Sequence, residues 1–385
     1  MLERELELKY AKKNIISAVE KLGLEFDLDK LSSNTYIAKL LKDGTEVDRG
    51  IGKGFEEQAI ISSLFESVEH YSLKNNNENL KTISKDYIIQ SYEEYNKDDI
   101  SLLKLSDNED FLCREYLNFN DDSKLLVPEL LVNPDFIKSR APINKYSTNN
   151  GTSIGSTFDE ALLHSLGELI ERDSISMFLI DYFLNNFCEI DVLNNSNLDN
   201  DLINLLKIIR DYGYEDIKII MLSNEFNVPT FMTVATKENN IFPMYGAGSS
   251  LFKKYAIERS IYECIQLIEV SMKSDVIKKE NEDTLMLYKN YPKLNKIFLL
   301  DFSNANINYV DYHDTKLITH YDVEDLVRIL SNILNQKGYH IFYHILEEND
   351  EYCCLHVKIP MFETFHLVLY GQPVLPRSRG YERLN

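Results

Sequence analysis

Ser62, Glu66 and Glu69, then His164, Glu168 and Glu171, then Arg259, Glu263 and Gln266 all follow one four-then-three step along the chain. An α-helix turns about 100° per residue, so each triplet would form one narrow stripe. Glu160 joins the second stripe: taking it as zero, His164, Glu168 and Glu171 fall at roughly 40°, 80° and 20°. Leu162, Leu163, Leu166, Leu169 and Ile170 cover the opposite arc, as the core side of a helix does. Solvated helix faces usually alternate Lys with Glu, because like charges at i,i+4 destabilise. Here five glutamates on two matched stripes have few lysines between them and need a cation. Magnesium suits them, since it takes oxygen ligands, keeps waters, and is held by one or two carboxylates plus substrate phosphates. Arg172 and Arg259 can neutralise phosphate oxygens through charge-assisted hydrogen bonds. The chemistry is therefore that of a magnesium–nucleotide site between helices. One ExxE alone is usually only a wet helix face; the matching of two stripes carries the argument.

These side chains must be set by the segments around them. Asn149–Thr157 is a Gly/Ser/Thr-rich loop that offers N–H groups and hydroxyls at a helix N-terminus, a favourable place for phosphate. Ser156 or Thr157 serves equally as a simple N-cap, with Glu160 closing a capping box. No GxxxxGK[ST] occurs, so the site is not of the Walker type. Gly50–Gly54 leads into a helix over about 56–73, and Tyr245–Ser250, read first as a turn, precedes a helix over about 252–273. Elsewhere the pattern predicts a helix over 2–22, a strand at Asn34–Leu41 ending in the Asp43-Gly44 turn, short strands in 111–131, and a helix near 200–212. Apolar runs occur at Lys218–Leu222 and Pro229–Ala235. The last third reads as strand Lys296–Phe302, helix Val323–Asn335, and strands Tyr339–Leu346 and Tyr352–Ile359. Residues 74–110 are polar and read as an insertion or mobile surface excursion with a helical turn or two. Alternation without a strict βαβ rhythm favours an α+β fold with mixed sheets.

Length and composition bound the rest. The 385 residues suit one large or two intimate domains, and a net charge of −21 argues against nucleic acid as a partner. The five cysteines are scattered, with no CxxC, so neither a zinc site nor a disulfide framework is expected. The charged start MLERELELKYAKK lacks an apolar signal region, and no run is long enough to span a membrane. The expectation is a cytoplasmic, soluble protein with no membrane contact. His164 could ligate metal or shuttle protons, but a His beside Glu is commonly structural. No Ser/His/Asp or Cys/His arrangement stands out, so the catalytic residues are left unassigned.

SSLFESVEHYS at 62–72, GSTFDEALLHSLGELIERD at 155–173 and AIERSIYECIQ at 256–266 resemble the three nucleotide-site segments of YcaO-domain proteins. Their lead-ins GKG, TNNGTSIG and YGAG match as well. The resemblance covers about residue 45 to the end, which divides the chain into a 1–45 lead-in and a 46–385 YcaO domain. It implies a YcaO-type α+β fold that binds ATP and Mg²⁺ between long helices and activates a peptide backbone amide by phosphorylating its oxygen. It also implies magnesium or phosphate-linked roles for Glu66, Glu69, Glu160, Glu168 and Glu171. Phosphate or nucleotide contacts follow for Ser153, Arg172 and Gln266, with Arg259 and Glu263 in support. His70 departs from the family's usual Arg.

In the best-known branch a Cys, Ser or Thr of a ribosomal precursor peptide closes a thiazoline or oxazoline. Other branches form thioamides or amidines. The ring-forming branch commonly ends in a PxPxP-like tail, whereas this chain ends PVLPRSRGYERLN. The implied partners are the precursor peptide and a leader-binding protein, with a homodimer left open. Two alternatives stand beside this: a non-catalytic docking subunit that kept the fold, and an unrelated ATP-dependent ligase.

Overall fold

The computed structural model describes residues 3–76, 80–92, 97–136, 142–185, 187, 189–313 and 321–384. Cys188, His320 and part of the Asn-rich 75–79 stretch lie outside them. Each of the three helices expected to carry the site follows a strand and folds back onto it. Strand Thr45–Lys53 precedes helix Glu56–Asn75, strand Thr152–Gly155 precedes helix Phe158–Leu179, and strand Asn240–Ser249 precedes helix Lys253–Lys273. Glycine allows the close approach. A Cβ on Gly52 would lie 1.9 Å from the Ala59 carbonyl oxygen, and one on Gly248 would lie 2.2 Å from that of Ala256. The three glycine-rich lead-ins are thus the seams along which strand and helix pack. Tyr245–Ser250, expected as a turn, is the end of a strand for this reason.

The first strand belongs to an antiparallel three-stranded sheet, in the order Glu25–Lys30, Thr35–Lys42, Thr45–Lys53. The second closes one edge of a larger sheet, in the order Lys81–Ser84, Asp110–Asn118, Phe342–Glu348, Cys353–Lys358, Thr152–Gly155. The third is the edge of a five-stranded sheet that continues through Thr230–Lys237, Asp216–Met221 and Glu189–Leu193 to the parallel strand Asn306–Val310. This is the expected α+β arrangement with mixed sheets. The central helix buries Leu162, Leu166 and Ile170 completely, in a core shared with Leu355 and Val357 of the second sheet. Cys353 and Cys354 point to opposite sides of their strand, and each is buried in a different core cluster.

Several local expectations are corrected. Lys296–Phe302 is not a strand: residues Pro292–Phe298 are helical, with Pro at the first turn, where a missing N–H costs nothing. Helix Asp275–Tyr288 was not anticipated, since it buries only Tyr288 and shows no apolar stripe. Within 74–110 the described residues form strand Lys81–Ser84 and helices Lys85–Tyr92 and Lys97–Lys104. Ile88, Ile100, Leu102 and Leu103 pack there against Phe111, Tyr116 and Val127. Asp98 and Asp99 are buried and bond Ser378 and Arg377, so these two polar residues mark internal contacts, while Lys81, Asp86, Lys97, Lys104 and Asp107–Asp110 are exposed. No helix among the described residues is long and apolar enough to cross a membrane.

Candidate active site

The three helices enclose a cleft of about 600 Å³. Glu66 and Glu69 enter it from helix Glu56–Asn75, Glu160, His164, Glu168, Glu171 and Arg172 from the central helix, and Arg259 and Glu263 from helix Lys253–Lys273. The stripes inferred from spacing therefore converge. Thr157 caps the central helix by accepting from the Glu160 N–H at 3.2 Å. Glu160 does not complete a capping box; its carboxylate turns into the cleft and pairs with Arg4 at 2.6 Å.

Arg172 lies among three glutamates, 3.3 Å from Glu171, 3.8 Å from Glu168 and 3.9 Å from Glu263. Glu263 also meets Lys53 at 2.9 Å and accepts from the Ala247 N–H at 2.7 Å. Burial disfavours its charge, but Lys53 and Arg172 outweigh that and hold its carboxyl below the usual range. The opposite holds across the cleft. Burial raises the Glu66 and Glu168 carboxyls, and it raises Glu171 despite Arg172. Glu69 is pushed furthest, by burial and then by the charges of Glu66 and Glu168. Arg259 donates to His164 Nε2 at 2.9 Å, and burial together with that guanidinium keeps the imidazole neutral. His164 is an acceptor that positions Arg259.

Two observations bear on whether this cleft suits a magnesium–nucleotide. The carboxylates of Glu66, Glu69, Glu168 and Glu171 are short of positive charge, while the Nε atoms of Arg172 and Arg259 are buried without a hydrogen-bond acceptor. A group bringing both a cation and anionic oxygens would satisfy both sets at once. Among the described residues no three His, Cys, Asp or Glu side chains converge closely enough to hold a metal by themselves. Magnesium completes its shell with water and phosphate oxygens and needs only one or two carboxylates. The donor set fits.

Two of the expected residues are engaged elsewhere. The Ser153 hydroxyl lines the cleft but bonds the Ala161 carbonyl at 2.6 Å and Ser165 Oγ at 2.7 Å. Gln266 Nε2 donates to the Ile51 carbonyl at 2.5 Å, fastening its helix to the neighbouring strand. Other residues at the site were not foreseen: Arg4 and Tyr370 line the cleft and Glu3 bonds Ser250 beside it. Glu3 and Arg4 lie in a charged stretch expected as the start of the helix over 2–22, which begins only at Leu8. Lys53 had a signal, as the one cation in the Gly-Lys-Gly lead-in.

The family description "YcaO cyclodehydratase, ATP- and Mg2+-binding" matches residues 51–363. No curated protein matches the sequence. Among solved structures, a heterocyclase in complex with substrate and cofactor is similar at 14% identity and a TM-score of 0.68, over 97% of this chain. The present chain spans only 58% of that heterocyclase. YcaO from Methanopyrus kandleri, bound with AMPPCP and Mg²⁺, is similar at 18% identity and a TM-score of 0.65, over 95% of this chain and 92% of its own. The E. coli microcin synthetase McbBCD complex with pro-MccB17 bound is similar at 16% identity and a TM-score of 0.61, over 89% of this chain and 88% of its own. At these identities the likenesses show the fold, while the family match shows kinship. A cleft in which buried glutamates with raised carboxyls face arginine Nε atoms without an acceptor thus sits in a chain that belongs to the YcaO family of ATP- and Mg²⁺-binding domains.

Proposed function

We propose that this protein uses ATP to activate a backbone amide of a ribosomal precursor peptide, and that a Cys, Ser or Thr of the peptide then closes a thiazoline or oxazoline. The carrying observation is the convergence in one cleft of buried glutamates whose carboxyls are raised and two arginine Nε atoms that have no acceptor. Glu66, Glu69, Glu168 and Glu171 would hold magnesium, which neutralises phosphate charge when bound. Arg172 and Arg259 would receive phosphate oxygens through their unpartnered Nε atoms, while His164 and Glu263 keep those guanidiniums oriented. Ser153 and Gln266 would act through the loop and helix they fasten. Glu160 lines the same wall.

Chemically, the side-chain thiol or hydroxyl gives its proton to solvent as it adds to the preceding carbonyl carbon, and the resulting oxyanion takes the γ-phosphoryl group of ATP with release of ADP. The amide nitrogen then expels phosphate, losing its proton and forming the C=N bond. The protein contributes alignment and charge stabilisation, and the nucleophile comes from the peptide. This matches a cleft that no described cysteine lines: the four described cysteines are all buried in the cores. The family resemblance and the peptide-bound neighbour support a leader-binding partner protein.

Incubation with partner, peptide and ATP should remove one water mass per ring, and Glu168→Gln should lower turnover at least about a hundredfold. A mass gain equal to sulfur replacing oxygen would instead assign thioamide formation. Absence of any Glu168-dependent ATP turnover with every partner and peptide would overturn both and leave the docking-subunit alternative.

A further inference from the structure

The segment ahead of helix Leu8–Lys21 runs along one end of the cleft, which Arg4, Leu6 and Leu8 line, and three consecutive side chains each meet a site helix or the residues leading into it. Glu3 accepts a hydrogen bond from Ser250 Oγ, just before helix Lys253–Lys273, and lies within the field of Arg259. Arg4 pairs with Glu160 at 2.6 Å, leaving that glutamate only 3% exposed. Glu5 bonds Thr157, the cap of the central helix, and its N–H approaches Glu160 at 3.5 Å. Leu6 and Leu8 follow along the cleft. The segment thus bridges two of the three site helices. Glu3 itself is in the left-handed backbone region, with φ of 61°, a conformation unfavourable for Glu that its contacts must offset.

Two of these contacts duplicate what a magnesium–nucleotide would bring. The Glu3 carboxylate takes the place of an anion between a hydroxyl and a guanidinium at the start of a helix, where negative charge is favoured. The Arg4 guanidinium takes the place of a cation on one glutamate of the carboxylate wall. Neither is an ideal match. Burial raises the Glu3 carboxyl despite Arg259 and Arg4, so its charge is incompletely compensated there. A phosphate group carries more charge and arrives with its own cation, so it can replace Glu3 at a gain.

Resting on the nucleotide-site assignment above, we propose that Glu3–Leu8 is an internal strap that lies across the Arg259 end of the cleft and is displaced when Mg-ATP binds. Release of Arg4 frees Glu160 to join the other four glutamates. A site that is closed most of the time binds its ligand more weakly by the fraction of time it is open. Glu3→Ala should therefore bind Mg-ATP about three- to tenfold more tightly than the unaltered chain. Arg4→Ala should also tighten binding.

The test is calorimetric titration of the 385-residue chain and both variants with Mg-ATP, together with amide hydrogen exchange over residues 3–8. Exchange there should accelerate on adding Mg-ATP. If the unaltered chain binds Mg-ATP but Glu3→Ala binds no more tightly, or the amides of residues 3–8 become slower, the strap is overturned and the nucleotide site stands. Weaker binding by Arg4→Ala would make Arg4 a nucleotide contact and likewise overturn the strap. If neither the unaltered chain nor either variant binds, the nucleotide-site assignment fails and the strap with it.

Discussion

Glu69 and Glu171 hold their protons more tightly than ordinary glutamates, because burial and, for Glu69, neighbouring carboxylates oppose ionisation. A divalent cation arriving beside them reverses that balance and drives the protons off. The sign follows directly: binding of Mg-ATP should release protons, and affinity should rise with pH above the usual Glu value of 4.5 towards the raised values. Calorimetry in buffers of different ionisation enthalpy measures the release. Glu69→Gln should diminish it, whereas Glu263→Gln should not, since Glu263 is already ionised by Lys53 and Arg172. Equal release in both variants would place the titrating groups elsewhere. His164 cannot contribute at neutral pH, since its pKa is held well below 6.5 by burial and Arg259.

At the scale of elements, the glycines at the three strand-to-helix seams are packing residues first. Gly52→Ala would set a Cβ 1.9 Å from the Ala59 carbonyl, and Gly248→Ala 2.2 Å from that of Ala256, both backbone atoms that cannot swing aside. Each should cost about 2–3 kcal/mol of stability, read as a lower denaturant midpoint, and should weaken Mg-ATP binding by shifting a site helix. This also explains how much of the site could be read from the chain. A four-then-three step is a direct consequence of helix geometry, so Glu66, Glu69, Glu168, Glu171 and Glu263 were placed on the cleft-facing stripes from spacing alone. Spacing says nothing of what a polar tip bonds, and so Ser153 and Gln266 are in the right region but tied to carbonyl groups. Glu3 and Arg4 gain their place only through tertiary contact, in a stretch whose charges alternate as on any solvated surface. The strands and helices with strong apolar periodicity were legible, and Val323–Gln336 is a case. Lys296–Phe302 misled because a short apolar run does not distinguish a strand from a helical turn, and the proline at 292 was the better signal.

At the scale of the whole molecule, distant segments are clasped to the site helix by buried charge. Arg379, near the C-terminal end of the described chain, pairs at 2.5 Å with Asp173, two residues beyond Glu171 on the central helix. Arg377 pairs with Asp99, which also meets Lys358 at 3.0 Å, linking the polar 97–104 helix to the same tail. Asp173 is 1% exposed, and besides Arg379 it accepts only from the Glu363 N–H at 2.8 Å among the described hydrogen bonds. Removing Arg379 therefore leaves a buried carboxylate without its counter-charge, a loss that far exceeds the net worth of the pair itself. Arg379→Ala should destabilise the protein by about 3 kcal/mol, measured by chemical denaturation. The double variant Arg379→Ala with Asp173→Asn should recover part of that loss, because an amide costs less to bury than an unpaired charge. If Arg379→Ala alone leaves the denaturant midpoint unchanged, the clasp is not a stabilising contact. Because Asp173 shares a helix with Glu168 and Glu171, the single variant should also weaken Mg-ATP binding, and the double variant should restore it in step with stability.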